Sequence, residues 1–237
     1  MSLTSTALVV KTDRVGFMEA WAIQRALVGA RRADAIPDVI WLLEHDPVYT
    51  TGRHGTRTDL FMDDAALVAR GARFAHTDRG GLMTWHGPGQ SVAYVIHDLR
   101  GRRRVRPFVS ALAEAMADAS GVEGAQSDDS TMGAYVEGRK IGSVGIRVAG
   151  GISMHGIALN RDVDLTWYQA ITACGAPEVV ATSIAVEGGD PDRARVEGAL
   201  AAALGRRLGR ELRQAELDAV LPAEALRIAR ESVAVEG

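Results

Sequence analysis

Two residues of scarce type are candidates for chemistry in this chain. Cys174 is the only cysteine, and Lys140 is one of two lysines among 27 basic residues. A single thiol excludes an internal disulfide and a multi-cysteine metal site, which leaves packing or nucleophilic chemistry. Arginine stays protonated near neutral pH, whereas the pKa of a lysine can be tuned so that it exchanges a proton. A rare lysine and a unique cysteine are the groups that thiol-based acyl transfer requires.

These two side chains would be sufficient for that chemistry if they were in contact. A free thiol with a pKa near ~8.5 is only a few per cent ionised at neutral pH. An ammonium ~4 Å away, at an effective dielectric constant of ~20, stabilises a thiolate by up to ~4 kcal/mol and lowers the pKa of the thiol by up to ~3 before desolvation. Cys174 lies in a loop-like stretch, from which nucleophiles are commonly presented. An inert thiol and a solvated surface lysine are the alternatives.

Three glycine-containing segments could form the walls of a binding site. Residues 79–90 hold four glycines around Trp85 and His86, and glycine lets a ligand or a second backbone come close. A tight hairpin with a structural histidine is an equal alternative. The spacing matches neither a phosphate loop nor a dinucleotide fingerprint, so it gives no support to a nucleotide site. Residues 139–147 contain Lys140, and residues 154–160 are typical of a core strand that could floor a narrow apolar pocket.

The composition is that of an ordinary globular protein. The chain has 237 residues, 47% of them hydrophobic and 24% charged, which permits a large core without disulfides or metals. The net charge of −3 gives no indication of a nucleic-acid or membrane partner. The first residues lack the features of a secretory signal, so we expect a reduced, cytoplasmic protein. The six histidines show no metal-ligand spacing, so we expect no metal.

The hydrophobic pattern predicts a mixture of strands and helices. Helices are expected over 16–31 and 107–120, and strands over 39–43, 91–96, 143–148 and 153–159, with a hairpin at Glu137-Gly138. After Asp190-Pro191 the spacing becomes helical, and a last helix is expected over 214–234. We therefore expect a catalytic domain over residues 1–188 and a C-terminal helical extension over 189–237 that packs on the same domain.

Taken together and in this order, the motifs resemble those of the lipoyl(octanoyl) transferases. The resemblance runs from about residue 14 to residue 186 and rests on residues 42–53, 79–90, 140–147, 155–160, Cys174-Gly175 and Thr182-Ser183. The chain departs from the family pattern at Asp46, at Ala134-Tyr135 and at Ala173. The resemblance implies an α+β fold, with a mixed β-sheet flanked by helices, like the catalytic domains of biotin and lipoate protein ligases.

The resemblance also implies an activity: octanoyl transfer from octanoyl-acyl carrier protein to a lysine of lipoyl domains, the first step of endogenous protein lipoylation. The implied acceptors are the lipoyl domains of 2-oxoacid dehydrogenase complexes and the glycine cleavage H protein. By position it implies Cys174 as the acyl-thioester nucleophile and Lys140 as the residue that lowers its pKa. The implied substrate contacts are Arg79, Gly80, Gly81, Leu82, Met83, Thr84, Trp85, His86, Ser143, Val144, Gly145, Gly156, Ile157 and Ala158.

Further expectations follow from that activity. The conversion of a thioester to an amide releases free energy, so no ATP or bound cofactor is expected. No nucleic-acid or membrane partner is expected either. Trp85 and His86 are expected near the mouth of an acyl tunnel, with backbone N–H groups around Gly175 or Gly145 as oxyanion donors. A monomer is the expected state, although the sequence leaves the oligomeric state open.

Two rival functions remain open. An ATP-dependent lipoate or biotin protein ligase would share the fold and the lysine but would need an adenylate site and no thiol nucleophile. A non-catalytic module that binds acyl carrier protein or lipoyl domains would show no turnover. A papain-like hydrolase is less favoured, because Lys140 lies in a better matched motif than any histidine partner for the thiol.

Overall fold

An eight-stranded mixed sheet is the centre of the fold. The computed structural model describes residues 5–101, 105–128, 130–171 and 179–234. The strands are β1 (Thr6–Arg14), β2 (Asp38–Glu44), β3 (Val48–Thr51), β4 (Arg73–His76), β5 (Met83–His86), β6 (Gln90–Ile96), β7 (Ala125–Asp128), β8 (Gly133–Val136), β9 (Arg139–Ala149), β10 (Ile152–Asn160) and β11 (Glu211–Gln214). The main sheet has the order β11-β1-β2-β6-β10-β9-β8-β7, and β4-β3-β5 form a second, smaller sheet. In the main sheet β1 pairs in parallel with β2 and β11, and the other pairs are antiparallel.

Helices cover both faces of the main sheet, which explains why its central strands β2, β6 and β10 are buried along their whole length. The helices are α1 (Phe17–Arg32), α2 (Asp64–Ala69), α3 (Val105–Ser120), α4 (Arg193–Leu208), α5 (Leu217–Val220) and α6 (Ala223–Ala234). In β2, Ile40 and Leu42 pack into the core with α3 and α4, while Trp41 packs on the opposite side with α1 and α6. This alternation is the two-residue period of a strand. The expected α+β architecture is confirmed.

The turns between the antiparallel strands lie where the sequence predicts them. Glu137 and Gly138 join β8 to β9, with φ angles of 47° and 82°. Gly150 and Gly151 join β9 to β10, with φ angles of 59° and 81°. Two-residue hairpins of this kind need positive φ at both positions, which favours glycine. Both expected strands after the first hairpin are confirmed, with wider bounds.

The C-terminal region differs from the single helix expected over 214–234. Gln214 is the last residue of β11, which pairs with β1, and Pro222 separates α5 from α6. Proline lacks a backbone N–H and disfavours helical geometry in the residue before it, so one continuous helix could not form. The helix expected at 107 begins two residues earlier, at Val105. In the described part of the chain, no helix is both long and apolar enough to cross a bilayer.

Candidate active site

A cavity of about 490 Å³ lies where β5, β6, β9 and β10 approach one another. The segments at 143–145 and 156–158 face each other across the β9–β10 ladder, in which Gly145 pairs with Gly156. Segments that are far apart in the sequence therefore form one wall. The predicted residues that line this cavity are Arg79, Gly80, Gly81, Leu82, Met83, Thr84, His86, Lys140, Ser143, Val144, Gly145, Gly156, Ile157 and Ala158.

Trp85 is the predicted contact that the structure places elsewhere. Its ring is fully buried and stacks on Trp167, with centroids 5.4 Å apart and planes inclined by 15°. Because neighbouring side chains of a strand point to opposite faces, His86 lines the cavity while Trp85 packs into the core of the small sheet. The structure therefore corrects the expectation that Trp85 lies near the mouth of the tunnel.

The guanidinium of Arg79 anchors the glycine-rich segment to the small sheet. Arg79 is 7% exposed, and its Nη2 donates to the carbonyl oxygen of Thr50 at 2.6 Å and to the Thr50 hydroxyl at 3.0 Å. Its Nη1 donates to the carbonyl oxygen of Gly80 at 3.0 Å. These bonds hold Gly80 and Gly81 along the cavity, so one role of this arginine is to fix the shape of the wall.

Lys140 is buried in the wall of the cavity rather than solvated. It is 5% exposed, its Nζ lies 3.5 Å from the carbonyl oxygen of Thr131, and it lies 5.4 Å from the centroid of the Tyr135 ring. A Cβ on Gly133 would lie 2.7 Å from Cε of this lysine, so glycine at that position gives the side chain its room. The alternative of a surface lysine is excluded.

Cys174 lies outside the described residues, so its contact with Lys140 stays a prediction. The described residues on either side of this gap both lie near the lysine. Val179 lines the cavity, and Ile171 lines a small adjoining hollow together with Lys140. The backbone N–H of Lys140 also donates to the carbonyl oxygen of Val180 at 2.8 Å. The described residues that flank the gap, Ile171 and Val179, therefore both lie beside the buried lysine.

Buried histidines form a second group of polar side chains at the cavity. Burial lowers the pKa of His86 to about 3 and that of His45 to about 4, and it also lowers the pKa of His155. His86 and His155 line the cavity, whereas both ring nitrogens of His45 are held by Val15 and Tyr94. These rings are neutral at physiological pH, which suits a cavity for an apolar chain.

Sequence reasoning missed His155 as part of the site. It is a single histidine within β10, without a spaced partner. The one signal at His155 is conformational: its φ is 62° in the middle of β10, and non-glycine residues rarely adopt that angle. The described residues contain no group of three His, Cys, Asp or Glu side chains that could hold a metal ion.

Comparison with known proteins identifies the family. The family model of the lipoyl protein ligase A/B catalytic domain matches residues 17–205 of this chain. The octanoyltransferase of Aromatoleum aromaticum is 42% identical over 175 residues, which is 73% of each chain. The octanoyltransferase of Chromohalobacter salexigens is 41% identical over 211 residues, covering 86% of this chain and 92% of that one.

A solved structure shows that the fold is shared as well. A bipartite lipoate protein ligase from Thermoplasma acidophilum superposes with a TM-score of 0.76 at 14% identity, covering 96% of this chain and 91% of that chain. The ligase-like fold expected from the motifs is thereby confirmed. The resemblance to the octanoyltransferases is confirmed by the sequence relatives. The chain belongs to the lipoyl protein ligase A/B catalytic-domain family, and the octanoyltransferases are its relatives within it.

Proposed function

We propose that this protein is an octanoyltransferase that acts in protein lipoylation. It moves an octanoyl group from octanoyl-acyl carrier protein to a specific lysine of lipoyl domains, through a thioester on Cys174. The observation that carries this proposal is the buried Lys140 in the wall of a largely apolar cavity, in a chain that is 41–42% identical to octanoyltransferases.

The first half-reaction loads the enzyme. The Cys174 thiolate attacks the thioester carbonyl of the donor, and a bond forms between the carbonyl carbon and the cysteine sulfur. The bond from that carbon to the phosphopantetheine sulfur breaks, and the phosphopantetheine leaves as a thiolate that takes a proton from water. The ammonium of Lys140 favours the thiolate over the thiol. Burial of about seven chain carbons at ~0.8 kcal/mol each supplies roughly 5–6 kcal/mol of gross binding free energy for the acyl chain.

The second half-reaction transfers the acyl group. The ε-amine of the acceptor lysine attacks the Cys174 thioester, the C–N bond forms, and the C–S bond breaks. The proton that the nitrogen loses balances the proton that the sulfur can take. Neither half-reaction consumes ATP, because the free energy is already present in the donor thioester.

The acceptors we propose are the lipoyl domains of 2-oxoacid dehydrogenase complexes and the glycine cleavage H protein, and the compartment is the cytoplasm. We further propose that residues 1–188 carry the chemistry and that residues 189–237 form an extension of the same domain. The ATP-dependent ligase has less support, because the relatives at about 40% identity are named octanoyltransferases.

Intact mass spectrometry after mixing with octanoyl-acyl carrier protein tests the proposal. The parent is expected to gain one octanoyl group without ATP, and Cys174→Ala to gain none. Lys140→Ala is expected to acylate roughly 10–30-fold more slowly at pH 7 and to recover near pH 9, because a thiol with an ordinary pKa of ~8.5 is only a few per cent ionised at neutral pH.

Lys11→Ala is the matched control, since Lys11 is the other lysine of the chain and is exposed. It should acylate like the parent. An adduct that persists in Cys174→Ala, or that forms only with ATP, would contradict the proposal. A Lys140→Ala variant with the parent's rate at pH 7 would remove the lysine from the mechanism.

A further inference from the structure

The hydrogen bonds behind His86 fix which of its ring nitrogens carries the proton. Asn160 Nδ2 donates to the backbone carbonyl oxygen of Thr182 at 2.9 Å, so Asn160 Oδ1 accepts, at 2.9 Å, from Nε2 of Gln90. Gln90 Oε1 is then the atom that lies 2.7 Å from Nδ1 of His86. An amide oxygen only accepts hydrogen bonds. His86 Nδ1 therefore carries the proton, and Nε2 carries the lone pair.

His155 is fixed in the opposite tautomer. Its Nε2 lies 2.8 Å from Oδ1 of Asp78, whose other oxygen pairs with Arg147. A carboxylate in an ion pair only accepts, so Nε2 donates and Nδ1 keeps the lone pair. The backbone N–H of His155 donates to Oε1 of Gln24 at 2.8 Å, which supports the unusual φ. A costly backbone angle that is held by dedicated partners is a frequent mark of function.

Both histidines lie at the same cavity. Among the described residues, Nε2 of His86 and Nδ1 of His155 have no protein partner, and neither atom is sealed inside the protein. Both rings line the cavity that Lys140 also lines. The cavity therefore presents two acceptor-only nitrogens.

The chemistry of the reaction limits what can bind to such acceptors. The thioester carbonyl oxygen and the thiolate only accept hydrogen bonds, and the acyl tail neither donates nor accepts. The ε-amine of the acceptor lysine is the one reacting group that must donate N–H bonds while its lone pair attacks. A thiol offers a single, weak S–H donor, whereas the attacking amine carries two N–H groups, so two neutral imidazole nitrogens match the acceptor amine best.

We propose that His86 and His155 accept hydrogen bonds from the ε-amine of the acceptor lysine and position its lone pair toward the thioester on Cys174. This inference rests on the proposed function. The two histidines gain no proton overall, since the proton lost by nitrogen balances the one taken by sulfur. They act only in the second half-reaction, because the first involves no amine.

Single-turnover measurement of the two half-reactions tests this assignment. In His86→Phe, transfer to a lipoyl domain should slow by about 10- to 100-fold more than formation of the octanoyl-enzyme, which needs the cavity lining but no acceptor for an amine. Hydrolysis of the acyl-enzyme should be unchanged, so that the product shifts toward free octanoate. His86→Gln, which restores an amide oxygen as acceptor, should recover part of the transfer rate.

Two further variants separate positioning from structure. Gln90→Leu removes the bond that fixes the tautomer of His86, together with the bonds from Gln90 Nε2 to Asn160 and Tyr168, and it should slow transfer more than acylation. His155→Asn keeps a residue that tolerates positive φ and should also slow transfer more than acylation. His76→Gln, at an exposed position in β4, should match the parent in both steps. Circular dichroism should show that each variant is folded, and Gln90→Leu decides the question if His86→Phe is not.

The outcomes distinguish this proposal from the one on which it rests. If the parent forms no octanoyl-Cys174, the proposed function fails. If the parent forms and transfers the group while His86→Phe and Gln90→Leu transfer at the parent's rate, only the role of the histidines is overturned. Equal slowing of both half-reactions in these variants would also overturn it, because it would indicate a general structural effect.

Discussion

Gly156 shows how single residues set the spacing of the site. It pairs with Tyr94 on β6 and with Gly145 on β9, at the centre of the cavity wall. A Cβ at this position would collide with the carbonyl oxygen of Ala93. That oxygen belongs to the backbone of a buried strand and cannot move aside as a flexible side chain could. Glycine here lets β6, β10 and β9 lie close enough to shape one surface.

Gly156→Ala should therefore lower the free energy of unfolding by about 1–3 kcal/mol, the usual cost of overpacking a core. Gly198→Ala should raise it by about 0.5–1 kcal/mol, because Gly198 lies inside α4 with nothing within 4 Å of an added Cβ and alanine favours helix over glycine. Denaturant titration measures both values. A stable Gly156→Ala variant would show that the strands can separate locally without cost.

At the scale of elements, the C-terminal segment is part of the main core. Val196, Leu200 and Leu204 of α4 are fully buried in the cluster that contains α3 and the central strands. β11 extends the main sheet through its parallel pairing with β1. Arg207 adds contacts from α4 to Glu114 and Asp118 of α3.

A chain that ends at residue 188 should therefore fail to fold. Each buried Val or Leu of α4 stabilises the native state by roughly 1.5–3 kcal/mol, and a domain has only about 5–15 kcal/mol in total. Circular dichroism and thermal unfolding should show no cooperative transition for this fragment. A chain that ends at residue 221 is the control, because it keeps α4 and β11 and should retain a transition at lower temperature. Cooperative unfolding of the 1–188 fragment would refute the expectation.

The elements also show what the sequence could predict and what it could not. The central strands and the glycine hairpins were predictable because their apolar runs and turn residues act locally. The side to which Trp85 points was not, since both faces of the four-residue β5 are covered and the periodic signal is lost. The break at Pro222 was visible in the sequence, but the pairing of β11 with β1 depends on contacts about 200 residues apart. His155 joined the site through a backbone angle that no local pattern indicates.

At the scale of the whole molecule, buried ion pairs connect the ends of helices and strands that are far apart in the sequence. Asp38, at the start of β2, is 2% exposed and accepts from Arg31 at the end of α1 and from Arg210 next to β11. Hydrogen bonds and charge from the neighbouring His97 and arginines lower the pKa of this carboxyl despite the opposing effect of its burial. The histidines at the cavity are neutral, whereas Asp38 is a charged carboxylate. Lowering the pH therefore affects the cavity and the charges around Asp38 differently.

Stability should fall between pH 7 and pH 5 because of the buried histidines. His45 and His86 have pKa values of about 4 and about 3 in the folded protein, against ~6.5 in an unfolded chain. Below pH ~6.5 the unfolded state therefore binds protons that the native state does not, and the free energy of unfolding decreases with falling pH. Each histidine should remove about 2 kcal/mol by pH 5, at ~1.4 kcal/mol per pH unit.

Guanidinium titrations at pH 7 and pH 5 measure this loss, and variants assign it. His86→Gln should reduce the difference between the two pH values by about 2 kcal/mol, because the glutamine does not titrate. His76→Gln, at an exposed position in β4, is the control and should leave the difference unchanged. If the free energy of unfolding were equal at pH 7 and pH 5, the two buried rings would have to take up protons in the native state. The cavity would then hold positive charge in mild acid, where we expect a neutral lining that accepts an apolar acyl chain and a donating amine.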